Sequence, residues 1–535
     1  MTNLNHRIED LFAKRLSRIK PGLARVQLAN EQLGWISHQT PSIMVAGTNG
    51  KGSTSAFLWR LLALGGVRCG LFSSPHLVSF AERIQMSDRA VTEGELEAAI
   101  PDLIQRVDPG LWQELSFFEA SLLLAMHIWR QRNSELNVLE VGLGGRLDAT
   151  NISRPEASII TSIGIDHTEF LGNEIRQIAF EKAGILRPGK PVFVGFSSNS
   201  HDAQDFDGHR DNAQAIRVIT AVTEGSGSPV FWAGRHFGID VGVGGGQFYF
   251  TPAPGVRFSA PVPAFFADAA PYLLENFAVA AATAIWFFWS KSKLESASMF
   301  SPSHNDAPWD GTVEVARMFE AFSEVSGPWG PALCGRFQQI LARGCGLGEI
   351  AQDGSGGRRL LVDVCHNPHG AKRFVQAVEQ RFGGDATLPG LVSIVKDKDI
   401  GGILDVLSGK LRPLVLFKME NDRGFTRDVI PERYRELPFA EDFSAAAELM
   451  QGALMQDALA AQGHPEHSPW VVCGSVMAVG EVLGRIELAN SRIPPGSIRE
   501  QIMDSVLRRC LDLQSLAPSN DLDVCGAPAN GSGIL

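Results

Sequence analysis

The stretch Ile43-Met-Val-Ala-Gly-Thr-Asn-Gly-Lys-Gly-Ser-Thr54 restricts this chain to a small set of folds. Residues 43–46 are an apolar run of the kind that forms a parallel strand buried on both faces. Gly47, Gly50 and Gly52 then surround Lys51, and residues 53–64 read as a helix. Strand, glycine loop, helix is the arrangement that wraps backbone N–H groups around a phosphate, with the helix N-terminus facing the anion. Lys51 adds a positive charge, and Ser53 or Thr54 a hydroxyl suited to Mg²⁺. The generic phosphate-loop pattern has Ser or Thr directly after the lysine, where this chain has Gly52. On the stretch alone, a glycine-rich turn without a ligand is the plainer alternative.

What surrounds the stretch has the same rhythm. Short apolar runs at residues 67–72, 138–141, 158–163 and 191–195 alternate with helical segments at 92–106, 116–130 and 175–185. Thr92 and Glu95 have the spacing of a capping box at the start of the first of these helices. Alternation of this kind predicts a doubly wound, mostly parallel α/β sheet. The polar residues Lys51, Ser74, Glu140, Asp148 and His167 each follow or end a strand, so the fold should gather them at one sheet edge, where such sheets bind ligands. Residues 230–258 read as a small antiparallel element, residues 273–289 as an apolar helix, and residues 197–213 and 296–311 as irregular polar insertions. A second α/β pattern follows a Pro/Gly linker, with strands at 358–364, 391–395, 413–418 and 470–472. The expected division is a phosphate-loop domain at 1–326 carrying the small antiparallel element, a linker at 327–335, a smaller Rossmann-like α/β domain at 336–513, and a disordered tail at 514–535.

Composition narrows the function. A length of 535 residues exceeds one ordinary domain, and a formal net charge of −11 argues against broad nucleic-acid binding, which needs a basic face. The seven cysteines are scattered, with no C-x-x-C, which fits a reduced cytoplasmic setting better than a disulfide framework or zinc site. The N-terminus has no apolar signal core, and residues 277–289 are too short a greasy run to span a bilayer.

Oxygen ligands are what Mg²⁺ takes, so Glu140 fits a metal beside the phosphate loop, as do Ser53 and Ser74. His167 is a candidate of a less usual type. Taken singly, a strand-end acid is as often a cap partner, and a strand-end histidine more often a structural residue.

Several segments together resemble the folylpolyglutamate synthase/dihydrofolate synthase family of Mur-ligase-like, ATP-dependent amide ligases. They are Val45-Ala-Gly-Thr-Asn-Gly-Lys-Gly-Ser53, Ser73-Ser-Pro-His-Leu77, Leu139-Glu-Val-Gly-Leu-Gly-Gly-Arg-Leu-Asp-Ala-Thr-Asn151, Asp166-His-Thr168, Glu181-Lys-Ala-Gly-Ile185, Gly335-Arg-Phe337 and His366-Asn-Pro-His369. The resemblance runs from about residue 22 to about residue 490, and Gly52 is part of that family's own loop signature. It implies a ligase that uses ATP and Mg²⁺ to phosphorylate a carboxylate of dihydropteroate or of a folate glutamyl tail, after which L-glutamate attacks the acyl phosphate to form an amide.

The resemblance also implies roles, position by position. Asn49, Gly50, Lys51, Gly52 and Ser53 would hold the phosphates, with Asn276, Arg336 and Asp363 as further nucleotide contacts in a cleft between two domains. Ser74, Glu140 and His167 match the magnesium ligands. Lys182 matches a lysine that is carbamylated in relatives, and its plainer reading is an ion-paired helix lysine. With Lys51 and Lys182, His366 belongs to the catalytic set, near the acyl phosphate and the incoming glutamate. Ser116, Phe117, Phe118, Glu119, Leu147, Asp148 and Ala149 match the pterin-side pocket, with residues 22–25 a weaker candidate. Cys365 and Val476-Met477 depart from the residues common in the family at those places.

The expected enzyme is bifunctional, a cytoplasmic monomer without nucleic-acid or membrane partners. The alternatives are a monofunctional folylpolyglutamate synthase or another Mur-type amino-acid ligase. A peptidoglycan-type ligase would carry an extra N-terminal domain, and only about forty residues precede the phosphate strand. A GTPase-like switch would need Asn-Lys-x-Asp, which does not occur.

Overall fold

The computed structural model describes residues 22–77, 79–87, 89–197, 206–242, 245–266, 269–298, 311–324, 336–342, 358–419, 423–459 and 468–490. Residues 198–205 and 299–310 of the two polar insertions, the linker 327–335 and the tail 514–535 lie outside the described residues. By its contacts the chain forms two compact units, one of residues 1–76 and 80–325, the other of residues 77–79 and 326–535.

In the first unit the elements run α1 (Ala24–Gln32), β1 (Ser42–Ala46), α2 (Lys51–Leu64), β2 (Cys69–Phe72), β3 (Ile84–Met86), β4 (Arg89–Ala90), α3 (Glu93–Gln105), α4 (Pro109–Glu114), α5 (Phe117–Gln131), β5 (Leu136–Glu140), β6 (Pro155–Ile160), α6 (Thr168–Leu171), α7 (Ile175–Ala183), β7 (Val192–Val194), α8 (Phe206–Thr223), β8 (Val230–Trp232), β9 (Phe237–Gly242), β10 (Gly245–Ala253), β11 (Val256–Pro261), α9 (Pro271–Ser298) and α10 (Gly311–Glu324). Eight strands form one sheet in the order β4-β3-β2-β5-β1-β6-β7-β8. From β2 to β8 every neighbouring pair is parallel, and β3 and β4 add an antiparallel edge. Every residue of β1 and β5 is buried, as strands covered on both faces must be.

β1 sits between β5 and β6, so the chain leaves it in one direction toward β2 and later crosses to the other side at β6. A crevice opens at such a switch point beyond the carboxyl ends of the strands. α2 packs along the sheet with Phe57 fully buried, its ring 5.3 Å from Phe266 and 5.8 Å from Phe277 of α9. That aromatic contact fixes α2, and therefore the loop that precedes it.

Four expectations change. α2 begins at Lys51 rather than Ser53, with Gly50 as its N-cap in a left-handed conformation (φ 84°), so Gly50 makes the turn and Gly52 lies inside the first helical turn. β8 is not part of an antiparallel element but pairs in parallel with β7, and only β9, β10 and β11 form the separate three-stranded sheet. Part of the first polar insertion is helix α8, because Ala215 and Ile219 give it a buried side. α9 extends well past the apolar run at both ends, so that Pro271–Lys293 is long and apolar enough to cross a membrane, yet 67% of its apolar window is buried in the protein, as suits a core helix.

The second unit contains β12 (Gln338–Ala342), β13 (Arg358–Asp363), α11 (Pro368–Phe382), β14 (Leu388–Val392), α12 (Ile400–Leu407), β15 (Leu411–Phe417), β16 (Phe439–Ala440), α13 (Phe443–Leu459), β17 (Trp470–Cys473) and α14 (Val476–Asn490). Its six-stranded sheet has the order β12-β13-β17-β14-β15-β16, parallel except for β12. The core between sheet and helices is built from Leu360, Val362, Leu391, Val415, Phe443, Val472 and Val479.

Candidate functional site

The loop after β1 is held from three directions. A Cβ on Gly50 would collide with the carboxamide of Asn276, whose Cγ lies 3.0 Å from that position. Only glycine takes the left-handed turn and admits that close approach. Asn276, at the start of α9 and buried, is thus brought against the loop as expected. Lys51 Nζ donates to the carbonyls of Gly47 (2.9 Å) and Thr48 (3.0 Å). Lys182, buried on α7, also donates to Gly47 O at 2.8 Å, so two lysines far apart in sequence converge on one carbonyl.

The third direction is the segment after β6, which sequence reading did not single out. Thr161 Oγ1 donates to Asn49 O at 2.7 Å. Ser162 Oγ donates to the same oxygen and accepts the Asn49 N–H, both at 3.0 Å. Thr48 exchanges two hydrogen bonds with Gly164 through its hydroxyl. The signal was present as Thr161-Ser162-Ile-Gly164 at the end of a strand, but nothing in one sequence says which neighbouring loop it faces.

On the other side of β1, Glu140 ends β5 and is buried, and its Oε2 accepts the N–H of Ser74 at 2.9 Å. Ser74 lies in the turn after β2, before a cis peptide bond to Pro75. The predicted Ser74–Glu140 pair is therefore brought together. His167 is placed by its own loop: it adopts a left-handed conformation (φ 50°), with its N–H bonded to Asp166 Oδ1 at 2.8 Å. Among the described residues, no group of three or more His, Cys, Asp or Glu converges to form a metal cage. An oxygen set built on one buried carboxylate and hydroxyls is of the hard kind that Mg²⁺ accepts, since Mg²⁺ keeps waters and phosphate oxygens for the rest of its shell.

The pterin-side residues divide into two kinds. Ser116 and Glu119 form a capping box at the start of α5, with Ser116 N–H to Glu119 Oε2 at 2.7 Å and Glu119 N–H to Ser116 Oγ at 3.3 Å. Glu119 also takes the guanidinium of Arg25 at 3.3 Å, which joins the 22–25 segment to this helix end. Asp148 is buried and accepts four hydrogen bonds from its own loop, from Gly142 N–H, Leu143 N–H, Thr150 N–H and Thr150 Oγ1. Burial pushes its pKa up, against the pull of those donors. Both acids thus organise backbone. Phe118 is different. Its ring fills the space a Cβ at Gly142 would need and stands 5.3 Å from Phe72 at the end of β2. An aromatic surface therefore flanks the strand ends that carry Ser74 and Glu140. Phe117 turns to Phe80 and Arg83 instead, Ala149 is buried, and Leu147 is exposed.

In the second unit Asp363, at the end of β13, accepts Phe337 N–H (2.8 Å) and Cys365 N–H (2.9 Å), which ties the Arg336-Phe337 turn to the loop carrying His366. His366 Nδ1 lies 3.2 Å from Val364 O. A carbonyl only accepts, so Nδ1 carries the proton and Nε2 holds the lone pair of the neutral ring. Asn367 caps α11 through Gly370 N–H. The thiol of Cys365 is buried against Cys473, and that contact together with burial pushes its pKa well up, which makes it a packing group.

No protein-family model matches the chain. The dihydrofolate synthase/folylpolyglutamate synthase of Escherichia coli (strain K12) is 28% identical over 494 residues, covering 90% of this chain and 95% of its own. A crystal structure of the bifunctional folylpolyglutamate synthase/dihydrofolate synthase of Yersinia pestis with AMPPNP and a manganese ion superposes with a TM-score of 0.64 at 27% identity, over 90% of this chain and 98% of that one. E. coli FolC in complex with DHPP and ADP gives a TM-score of 0.62 at 26% identity, over 91% and 98%. A glycine loop at the switch point of a mostly parallel sheet, followed by a second α/β unit, is the layout of the Mur-ligase-like, ATP-dependent amide ligases. Within that class the chain is similar, over nearly its whole length, to the folylpolyglutamate synthase/dihydrofolate synthases of these two bacteria.

Proposed function

We propose that this protein is a bifunctional dihydrofolate synthase/folylpolyglutamate synthase. It forms an amide between the amino group of L-glutamate and the carboxylate of dihydropteroate or of a folate glutamyl tail, at the expense of ATP. The observation that carries this reading is the pairing of a glycine loop after β1 with a buried carboxylate, Glu140, on the adjacent strand and in hydrogen-bond contact with Ser74. A nucleotide phosphate and a hard cation need those two features side by side.

In this reading backbone N–H groups of residues 50–53 and the Lys51 ammonium hold the phosphates, and Asn276, Arg336 and Asp363 complete the nucleotide contacts. Glu140, Ser74 and His167 hold Mg²⁺, which when bound neutralises charge on the transferring phosphoryl group. Lys51 matters most as that group moves, because fixed positive charge stabilises developing negative charge without reorganising. Phe118 and Leu147 offer apolar surface to a flat ring, while Asp148 and the Ser116–Glu119 box hold the backbone beneath it. With Nδ1–H directed to Val364 O, His366 Nε2 can accept a proton from the attacking amine. Lys182, in contact with Gly47 O, supports the loop, and its carbamylation would place an anion there instead. Residues 1–326 serve as the ATP-binding domain and 336–513 as the glutamate-ligase domain. The enzyme works as a cytoplasmic monomer without nucleic-acid or membrane partners.

The test is ADP release by purified protein with ATP, Mg²⁺ and glutamate, with dihydropteroate and tetrahydrofolate as separate acceptors. Turnover with both is expected. Turnover with tetrahydrofolate alone reduces the reading to the monofunctional enzyme, and turnover with neither overturns it.

A further inference from the structure

A phosphate loop works only if its amides converge before the ligand arrives, and this one is poorly equipped to do so alone. Gly47 and Gly50 both have positive φ (155° and 84°), and glycine gives the backbone more freedom than any other residue. The order must come from outside the loop. Beside Asn276 and the two lysines, two hydroxyls just past the neighbouring strand supply it.

We propose that Thr161 and Ser162 are positioning residues that hold the phosphate loop in its binding shape and tie it to the His167 segment. Thr161 Oγ1 bonds Asn49 O at 2.7 Å and occupies the place that a Cβ at Gly47 would take. The Ser162 hydroxyl grips both polar groups of Asn49, its N–H and its C=O. Thr48 N–H donates to Ser162 O at 2.8 Å, and the Thr48 hydroxyl closes on Gly164. The Asn49 N–H is therefore committed inside the protein, and the phosphate-facing N–H groups are those from Gly50 onward. The same short segment, a few residues on, carries His167. A displacement of the phosphate loop thus moves the candidate metal-side histidine with it, so that nucleotide and metal are bound by one mechanical piece. None of this requires Thr161 or Ser162 to touch a ligand.

The inference rests on the nucleotide-binding part of the proposed function, and its first readout, ADP affinity, needs no folate acceptor. Thr161→Val keeps the shape and removes the hydroxyl, Thr161→Ser keeps the hydroxyl, and Ser162→Ala removes the second grip. ADP affinity is measured by calorimetry with Mg²⁺, ATP and glutamate KM by turnover, and folding by thermal unfolding. Loss of one hydrogen bond to Asn49 predicts ADP affinity down about threefold in Thr161→Val, and loss of two predicts about tenfold in Ser162→Ala. ATP KM and the half-saturating Mg²⁺ concentration rise in step, glutamate KM stays unchanged, and Thr161→Ser stays within about twofold of the parent. Should Thr161→Val fail to fold, Ser162→Ala carries the test. Unchanged ADP affinity in the variants that fold overturns the proposal. So does an equal loss in Thr161→Ser and Thr161→Val, or a glutamate KM that moves with ATP KM. A protein that binds ADP in this hydroxyl-dependent way but turns over no folate keeps the clamp and refutes the ligase reading alone.

Discussion

Asp148→Asn separates two roles for this residue, contact with an acceptor substrate and organisation of the loop after β5. The carboxylate takes Gly142 N–H and Leu143 N–H on Oδ2, at 3.0 and 2.9 Å, and Thr150 N–H and Oγ1 on Oδ1, at 3.0 and 2.6 Å. An asparagine fits best with its NH₂ toward Thr150, whose hydroxyl can turn and accept. The Thr150 N–H is then orphaned in a buried site, which costs about 1–3 kcal/mol. The two bonds to Oδ2 fall from a charged to a neutral acceptor and lose about 1 kcal/mol each. Removing a buried carboxylate returns part of this, because burial already pushes its pKa up. A net loss of about 2–3 kcal/mol of stability remains. The assay is urea unfolding monitored by tryptophan fluorescence, run beside KM for dihydropteroate, tetrahydrofolate and ATP. The expected result is a lower midpoint with an unchanged slope, and a fall in kcat with every acceptor. Stability within about 0.5 kcal/mol of the parent, with only the acceptor KM raised, would refute the loop-organising role.

Three further outcomes are expected. Lys51→Ala keeps its folding transition and loses ATP-dependent turnover by at least about a hundredfold, as removal of a preorganised charge does; full activity would contradict a phosphate role. Gly50→Ala must place a methyl against the Asn276 carboxamide in a left-handed turn costing about 1–2 kcal/mol, so ADP affinity drops by more than tenfold by calorimetry, and unchanged affinity would dispose of the turn geometry. His127 is fully buried, with Nε2 2.9 Å from Asp102 Oδ2, and burial outweighs that carboxylate in lowering its pKa. The unfolded chain therefore takes up a proton near pH 6.5 that the folded chain resists, and stability falls as pH drops through that range, by at most about 1.4 kcal/mol per pH unit. Urea midpoints at pH 7.5 and 5.5 should fall further in the parent than in His127→Gln; parallel falls would refute the assignment.

The central strands of both sheets could be read from the sequence because their burial is uniform: every residue of β1, β5 and β17 is buried and most are apolar, and such runs admit few readings. Capping chemistry was legible at Thr92-Glu95, whereas the same spacing at Ser116-Glu119 was assigned to the pterin-side pocket on the family resemblance. The observed hydrogen bonds show that Ser116-Glu119 also forms a capping box. The glycine loop illustrates a different limit. Three glycines are equivalent on paper, and what selects Gly50 for the left-handed turn is Asn276, a residue of a distant helix. β8 was misassigned for a related reason, since a strand of three residues carries too little pattern to name its partner. The hydroxyls of Thr161 and Ser162 lay outside the reading altogether, because an acceptor on another loop leaves no trace in local spacing.

The convergence of Lys51 and Lys182 on one carbonyl ties these observations together electrostatically. Each ammonium lies within hydrogen-bond distance of Gly47 O, at 2.9 and 2.8 Å, so the two nitrogens are no more than about 6 Å apart. At an effective dielectric constant of about 20 that proximity costs about 3 kcal/mol of repulsion. An anion entering beside the loop would lower that repulsion, and the phosphates of a nucleotide are such an anion; a carbamate formed on Lys182 would remove it by turning that ammonium into an anion. The loop is thus gripped by neutral hydroxyls on the β6 side and by two ammonium groups through Gly47 O. In the proposed function the first hold the loop that receives the phosphates, and the second bring positive charge near them. Gly50 and Gly52 matter because they let that charge and the helix N-terminus act at short range, with no side chain between the backbone and the ligand.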